Sequence, residues 1–301
     1  MVTLNAQRAP SFTRTGARFL FANRGLWPDF RLSGTVVFMT KIAVLGGGQI
    51  GEALVSGLVN AGYDGADIVV TNRREERRAE LEKTYGVKTA SDNKEAARDA
   101  DFVFGCVKPY AIEEVFAEAE LPKTAVAVSL AAGVQLEKLE TAAGEGVPVV
   151  RVMPNTPMLV GKGMSTATKG THVSDEQFEG VVKLMEAVGE VAVVAEKDVD
   201  AAAALAGSAP AYFFLVVESL IDAGVQLGLT RDVATKLATQ TAAGAGAMLV
   251  DSGREPLALR AGVTSPGGTT AAAVRELEES GIRGAFYRAA EACAQRAKEL
   301  G

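Results

Sequence analysis

The sequence predicts an α/β fold class: a doubly wound parallel sheet over residues 39–198, followed by an all-α domain over residues 199–301. Three observations predict it. Short apolar runs alternate with helical patterns as far as Val194, as the strand–helix units of a parallel sheet do. A glycine-rich turn joins the first of these runs to the first helix. Beyond Val199 the strand-like runs stop and Ala-rich helical patterns take over. With 301 residues, 48% of them hydrophobic, the chain is long enough for two cores.

Residues 1–38 stand apart from both. They carry Arg8, Arg14, Arg18, Arg24 and Arg31, no lysine, and a single acid, Asp29. Such a composition is that of a transit peptide. A disordered leader, or upstream sequence translated from too early a start, are the plainer readings. We expect the early start, because Met39-Thr40-Lys41-Ile42 leads straight into the first strand. No function is placed in this extension.

The first strand is Lys41-Ile42-Ala43-Val44-Leu45, an unbroken apolar run of the kind buried on both faces. Gly46, Gly48 and Gly51 then satisfy G-x-G-x-x-G, and an Ala/Leu/Val helix follows to Asn60. In a Rossmann-type sheet the first glycine makes the tight turn, the second lets a diphosphate approach the backbone, and the third lets helix pack on strand. The next strand, Asp67 to Thr71, ends in Asn72-Arg73-Arg74. An NAD site usually holds an acid here for the ribose 2′-hydroxyl. Arginine instead suits a 2′-phosphate, so NADPH is expected over NADH. The competing reading makes Arg73 and Arg74 the start of a charged helix, with Glu75, Glu76, Arg77 and Arg78 a solvated face.

Further strands are expected at 101–105, 125–130, 148–153 and 190–194. Small and polar residues collect at their C-terminal ends, where ligands of such sheets bind: Lys108, Pro109, Ala131, Ala132 and Asn155. Cys106 reads as a packing residue, since hydride chemistry needs no thiolate.

The composition excludes other chemistries. A net charge of −6 argues against nucleic acid. No unbroken run of about eighteen apolar residues appears, so no membrane span is expected. Two cysteines, Cys106 and Cys293, are too few for a disulfide framework and suit a cytoplasmic protein. The one histidine, His172, lies in a polar run without the partners of a metal site or a Ser-His-Asp triad, so no metal is expected.

In the second domain, helices are expected at 199–227, with a kink near Gly207-Ser208-Pro210, and at 231–251, 257–260, 270–280 and 283–300. Their small residues permit close helix approach, yet about a hundred residues make a thin core alone. A homodimer through these helices is therefore expected. Val263 to Thr270 forms a loop of small residues running into the fourth of them. Unpaired N–H groups at that helix start suit a carboxylate. An ordinary Ser or Thr N-cap on a surface turn is the plainer alternative.

Taken together, residues 41–300 resemble the pyrroline-5-carboxylate reductase family. Val263-Thr264-Ser265-Pro266-Gly267-Gly268-Thr269-Thr270 carries the resemblance most specifically. Val107-Lys108-Pro109, Met153-Pro154-Asn155-Thr156-Pro157 and Gly207-Ser208-Ala209-Pro210-Ala211-Tyr212 are similar to its other marks. Cys106 stands where the family usually has Ala, Ala209 where Gly or Ser is common, and Gly262 where some members carry Asn. The resemblance implies hydride transfer from NAD(P)H to the cyclic imine 1-pyrroline-5-carboxylate, giving L-proline, the last step of proline biosynthesis. It implies that Leu45, Gly46, Gly48, Gln49, Ile50, Asn72 and Arg73 hold the cofactor phosphates and Asn93 its ribose side. Cys106, Val107, Lys108, Pro109, Leu130, Ala131 and Ala132 would line the nicotinamide half. Ser265, Gly267, Gly268, Thr269 and Thr270 would take the substrate carboxylate across a dimer, with Thr270 and Ser265 nearest the chemistry.

Two other readings compete. A β-hydroxyacid dehydrogenase-type reductase needs a helical lysine with Asn one turn on, but Gln240 follows Lys236. A non-catalytic NADPH-binding regulator has no use for the 263–270 loop.

Overall fold

The computed structural model describes residues 40–300, so the expected extension 1–38 lies outside the described residues. Eight strands form one sheet: β1 (Ile42–Leu45), β2 (Ile68–Thr71), β3 (Lys88–Ala90), β4 (Phe102–Gly105), β5 (Val126–Ser129), β6 (Val149–Met153), β7 (Gly163–Lys169) and β8 (Gly189–Val193). Their order is β3-β2-β1-β4-β5-β6-β7-β8. The chain starts in the middle and winds outward both ways, which places a switch point between β1 and β4. Ile42 and Val44 point to one face of the sheet and Ala43 and Leu45 to the other, all of them buried.

Each face has its own core. Helices α1 (Gln49–Asn60), α2 (Glu75–Tyr85) and α6 (Asp175–Met185) cover the first, through Leu54, Leu58, Leu81 and Leu184. The second is covered by α3 (Asn93–Ala97), α4 (Ile112–Ala119) and α5 (Leu136–Ala143), through Ala97, Phe116 and Leu139. The sheet is thus doubly wound, but not wholly parallel. Sequence reading missed β3 and β7, and β6 pairs antiparallel with β7. The reason is the connection: a short 3-10 turn, Thr156–Val160, is no crossover helix, so the chain can only double back. β8 then pairs parallel to β7, after α6.

From Val199 the described chain is helical. α7 (Val199–Ala202) passes through a π turn, Ala203–Gly207, into α8 (Ala209–Gln226). α9 (Arg231–Asp251), α10 (Pro256–Gly262), α11 (Thr269–Glu279) and α12 (Ile282–Leu300) follow. Ser208 N–H reaches back five residues to the Ala203 carbonyl at 3.0 Å, and Pro210 lies just beyond. The expected kink is this π turn.

Two polar clamps tie this helical run to the sheet. Asn155 is buried; its amide donates to the Ala206 carbonyl at 2.9 Å, and its Oδ1 accepts the Met164 N–H at 2.9 Å. The buried Arg151 of β6 pairs with Glu196, whose Oε1 also accepts the Leu136 N–H at 3.0 Å. Asn155 therefore serves as a bracket between layers.

The run Glu196–Gln226 is long and apolar enough to cross a membrane by length and composition, and only 6% of its apolar window is buried. The sequence expectation looked for an unbroken run of about eighteen apolar residues and found none, whereas the fold joins shorter apolar stretches into one helical run. Phe213, Phe214, Leu215 and Leu227 lie more than half exposed. In α9 nothing lies within 4 Å of where a Cβ on Gly244 or Gly246 would be. Within a single chain these helices leave an apolar face uncovered.

Asn155→Ala removes both bonds of its clamp and strands the Met164 N–H. It should cost about 2–4 kcal/mol in a denaturant titration. Unchanged stability would mean that solvent already reaches these groups.

Candidate functional site

The glycine turn shows why those residue types stand there. Gly46 has φ +110°, and a Cβ on it would lie 2.8 Å from the Cys106 carbonyl oxygen and 2.9 Å from Val107 Cγ1. A Cβ on Gly51 would overlap the Gly46 carbonyl oxygen, because α1 packs directly on the turn. Gly48 differs: as the N-cap of α1 it has no side-chain cap, and nothing lies within 4 Å of its Cβ direction. An open side at a helix N-terminus, next to Gln49 and Ile50, fits a diphosphate.

A hydrogen-bonded frame holds the turn. Cys106 N–H donates to the Leu45 carbonyl at 2.8 Å, and Leu130 N–H to the Gly105 carbonyl at 3.1 Å. Gly46 N–H donates to Thr71 Oγ1 at 3.1 Å, and that hydroxyl donates to Asn93 Oδ1 at 2.8 Å. Gly47 N–H donates to the Thr71 carbonyl at 2.7 Å. Leu45, Gly46, Asn93, Cys106, Val107 and Leu130 thus lie close together at the C-terminal edge of the sheet. Burial against the apolar core pushes the Cys106 thiol pKa far up, which suits a packing residue. Lys108, Pro109 and Ala132 face outward from the same edge, beside the buried Ala131.

Arg73 and Arg74 are exposed, and neither side chain has a hydrogen bond or ion pair among the described residues. They fit a 2′-phosphate. Asn72 turns inward, donating to the Gly47 carbonyl at 3.2 Å. The competing reading of a solvated face fails for two residues. Arg77 donates to the Gly47 carbonyl at 3.1 Å and pairs with Glu52, and Arg78 donates to the Asn72 carbonyl at 2.8 Å. Helix periodicity alone carried no signal for them, because Arg77 meets Gly47 and Glu52, 30 and 25 residues away, and Arg78 meets the strand-end backbone at Asn72.

Between the sheet edge and the helices lies a cavity of about 700 Å³, lined by Pro109, Ala132, Met153, Ser208 and Cys293 among others. Sequence reading did not single out Ser208 and Cys293 as a pair. Cys293 donates to Ser208 Oγ at 3.1 Å, and desolvation, with the nearby Cys293, raises the Tyr212 pKa.

The 263–270 loop does not line this cavity. Its N-cap is Gly268, with no side-chain cap, so neither Ser265 nor a threonine caps α11. The first-turn N–H groups of Thr269, Thr270 and Ala271 therefore have no intrahelical acceptor. Gly267 has φ +68°, and a Cβ on Gly268 would overlap Ser265 Oγ. Ser265, Gly267, Thr269 and Thr270 are all exposed. Glu278 of α11 ties the loop's flanks together through Arg260 of α10 at 3.0 Å and Arg283 of α12 at 2.7 Å. The hydrogen bond from Arg283, backed by that from Arg260, holds its carboxyl pKa down to about 2. The clamp stays ionised at neutral and mildly acidic pH.

Comparison with known proteins gives this arrangement relatives. Residues 196–300 match the family model described as pyrroline-5-carboxylate reductase dimerisation, and residues 41–133 match that described as NADP oxidoreductase, coenzyme F420-dependent. A pyrroline-5-carboxylate reductase of Corynebacterium melassecola is 59% identical over 268 residues, covering 87% of this chain and 99% of that protein. One from Mycobacterium tuberculosis is 44% identical over 287 residues, covering 87% and 97%. The solved pyrroline-5-carboxylate reductase of Coxiella burnetii superposes with a TM-score of 0.84 at 38% identity, covering 87% and 99%. That of Plasmodium falciparum, solved with NADP bound, gives 0.76 at 31%, covering 87% and 98%.

Two glycine variants separate folding from binding. Gly48→Ala should keep stability within about 0.5 kcal/mol, because its methyl meets open space, yet weaken NADPH. Gly51→Ala should itself destabilise by about 1–3 kcal/mol through overpacking. Thermal melts with cofactor titrations check both. Equal behaviour of the two variants would contradict the geometry.

Proposed function

The chain belongs to the pyrroline-5-carboxylate reductase family, and from that premise we propose that it reduces 1-pyrroline-5-carboxylate to L-proline, with NADPH as the preferred hydride donor. One observation carries the reading: the chain has a glycine-rich turn at the switch point of its sheet and, on a separate helix, an N-terminus suited to an anion that no side chain of its own caps.

Bound NADPH supplies a hydride to C5 of the ring. The residues of the chain do the rest. Gly46, Gly48 and Gly51, with Gln49 and Ile50, shape the diphosphate turn, and Arg73 takes the 2′-phosphate. Residues 106–109 and 130–132 wall the nicotinamide side. The N–H groups of Thr269 and Thr270, beside Gly267 and Gly268 and with the Ser265 hydroxyl, hold the substrate carboxylate. Neutral donors suit this task, because a full cation there would repel the neighbouring iminium. The protonated imine is already electrophilic, so placement is the main demand, and effective molarity contributes several kcal/mol. The Thr270 hydroxyl orients the ring nitrogen. No histidine or acid pair is needed for such chemistry.

Residues 39–198 then form the dinucleotide-binding domain and residues 199–301 the dimerisation and substrate domain. A second copy covers the apolar face of α8 and α9, and the loop of one subunit completes the site of the other. The match of a dimerisation family to residues 196–300 supports this assembly. A cytoplasmic location belongs to the same proposal, supported by the two free cysteines.

Steady-state assays with the imine test the reading, and turnover with neither NADPH nor NADH would refute it. Thr270→Val should lower kcat/KM for the imine by about 100-fold while leaving NADPH affinity nearly unchanged, and equal losses would sink its substrate role. Arg73→Ala should weaken NADPH by about tenfold and spare NADH, and an unchanged cofactor ratio would remove the 2′-phosphate contact.

A further inference from the structure

Arg77 touches the cofactor turn from behind, and its contacts define a task. Its side chain is only 14% exposed, although it sits on a strongly charged helix. Nε donates to the Gly47 carbonyl at 3.1 Å, Nη2 pairs with Glu52, and Nη1 pairs with Glu80 at 2.7 Å. Asn72 donates to the same Gly47 carbonyl at 3.2 Å. The Gly47–Gly48 peptide is trans, and a trans peptide is planar, with C=O and N–H on opposite sides. Holding the Gly47 carbonyl toward α2 therefore aims the Gly48 N–H away from α2. Gly48 is also the position with open space around it.

Glu52 sharpens the need for Arg77. It lies in the first turn of α1, where the positive end of the helix receives an anion. A bare carboxylate there would repel a diphosphate. Arg77 pairs with one of its oxygens, and the Tyr85 hydroxyl donates to the other at 3.1 Å.

From these contacts we propose that Arg77 is a positioning residue for the cofactor diphosphate: it holds the Gly47–Gly48 peptide in its binding orientation and screens Glu52, without itself touching the cofactor. The proposal rests on the dinucleotide-binding reading above. It gives neighbouring arginines different work. Arg73 serves only the 2′-phosphate and so discriminates between cofactors, whereas Arg77 serves the diphosphate that both cofactors share.

The test measures NADPH and NADH dissociation constants by fluorescence titration, alongside thermal melts and kcat, for the wild type, Arg77→Met and Arg77→Lys. Arg77→Met should weaken both cofactors by the same factor, about tenfold for a lost charge-assisted bond, with kcat at saturating cofactor retained. Arg77→Lys keeps the charge beside Glu52 but loses the guanidinium fork, so it should show a smaller, equally shared loss. It also carries the test should Arg77→Met fail to fold. A loss confined to NADPH would place Arg77 on the 2′-phosphate and overturn the proposal. So would unchanged dissociation constants accompanied by a lower melting temperature, the mark of a purely structural role. A wild type that binds neither cofactor would overturn the dinucleotide-binding reading, and the proposal with it.

Discussion

The helical half of this chain cannot bury its own apolar surface, and much of the architecture depends on that constraint. α8 has no buried residue in the single chain, and α9 buries only Ala234 and Ala238. Fully burying a Phe or Leu is worth about 1.5–3 kcal/mol, so side chains such as Phe213, Phe214 and Leu227 together favour association strongly. The glycines of α9 add a steric invitation, because they leave room for a second helix to come close. A partner chain answers both features.

On the proposed function, that constraint also accounts for a site divided between two subunits. The glycine turn is built on the buried strands β1 and β4 and the helix packed on them. The 263–270 turn is built on the helices, braced by Glu278 between two arginines. Within one chain the cavity at the sheet edge lacks the 263–270 loop. A subunit that must pair to cover its helices can thereby bring a loop to its neighbour. Assembly and catalysis then share one requirement.

Much of this was legible in the sequence because the signals were local. α9 was expected at 231–251 and runs Arg231–Asp251, since Thr230 caps one end and Ser252-Gly253 closes the other. The roles of Gly46 and Gly51 follow from spacing, and the structure gives each its steric reason. β3 and β7 were missed because polar, small residues such as Lys88-Thr89 and Ser165-Thr166 make no apolar run. The reversed direction of β7 was hidden for a related reason: the turn before it holds prolines where a helix would otherwise be sought. The tasks of Arg77 and Asn155 were not legible: Arg77 read as part of a solvated face and Asn155 as lining a ligand site, whereas its amide is spent on Ala206 and Met164. Their work depends on partners far away in sequence.

The central claim is that one subunit supplies the cofactor turn and the other the carboxylate turn. Mixing two disabled chains tests it most directly. Gly48→Asp places a carboxylate where the diphosphate must approach, and Thr270→Val disables the loop. Co-expressed in equal amounts and purified together without sorting, half the dimers pair unlike subunits, and each such dimer has one intact site of two. Activity should return to about a quarter of the wild-type value. Activity no higher than the average of the two variants alone would place both turns in the same subunit and contradict the account.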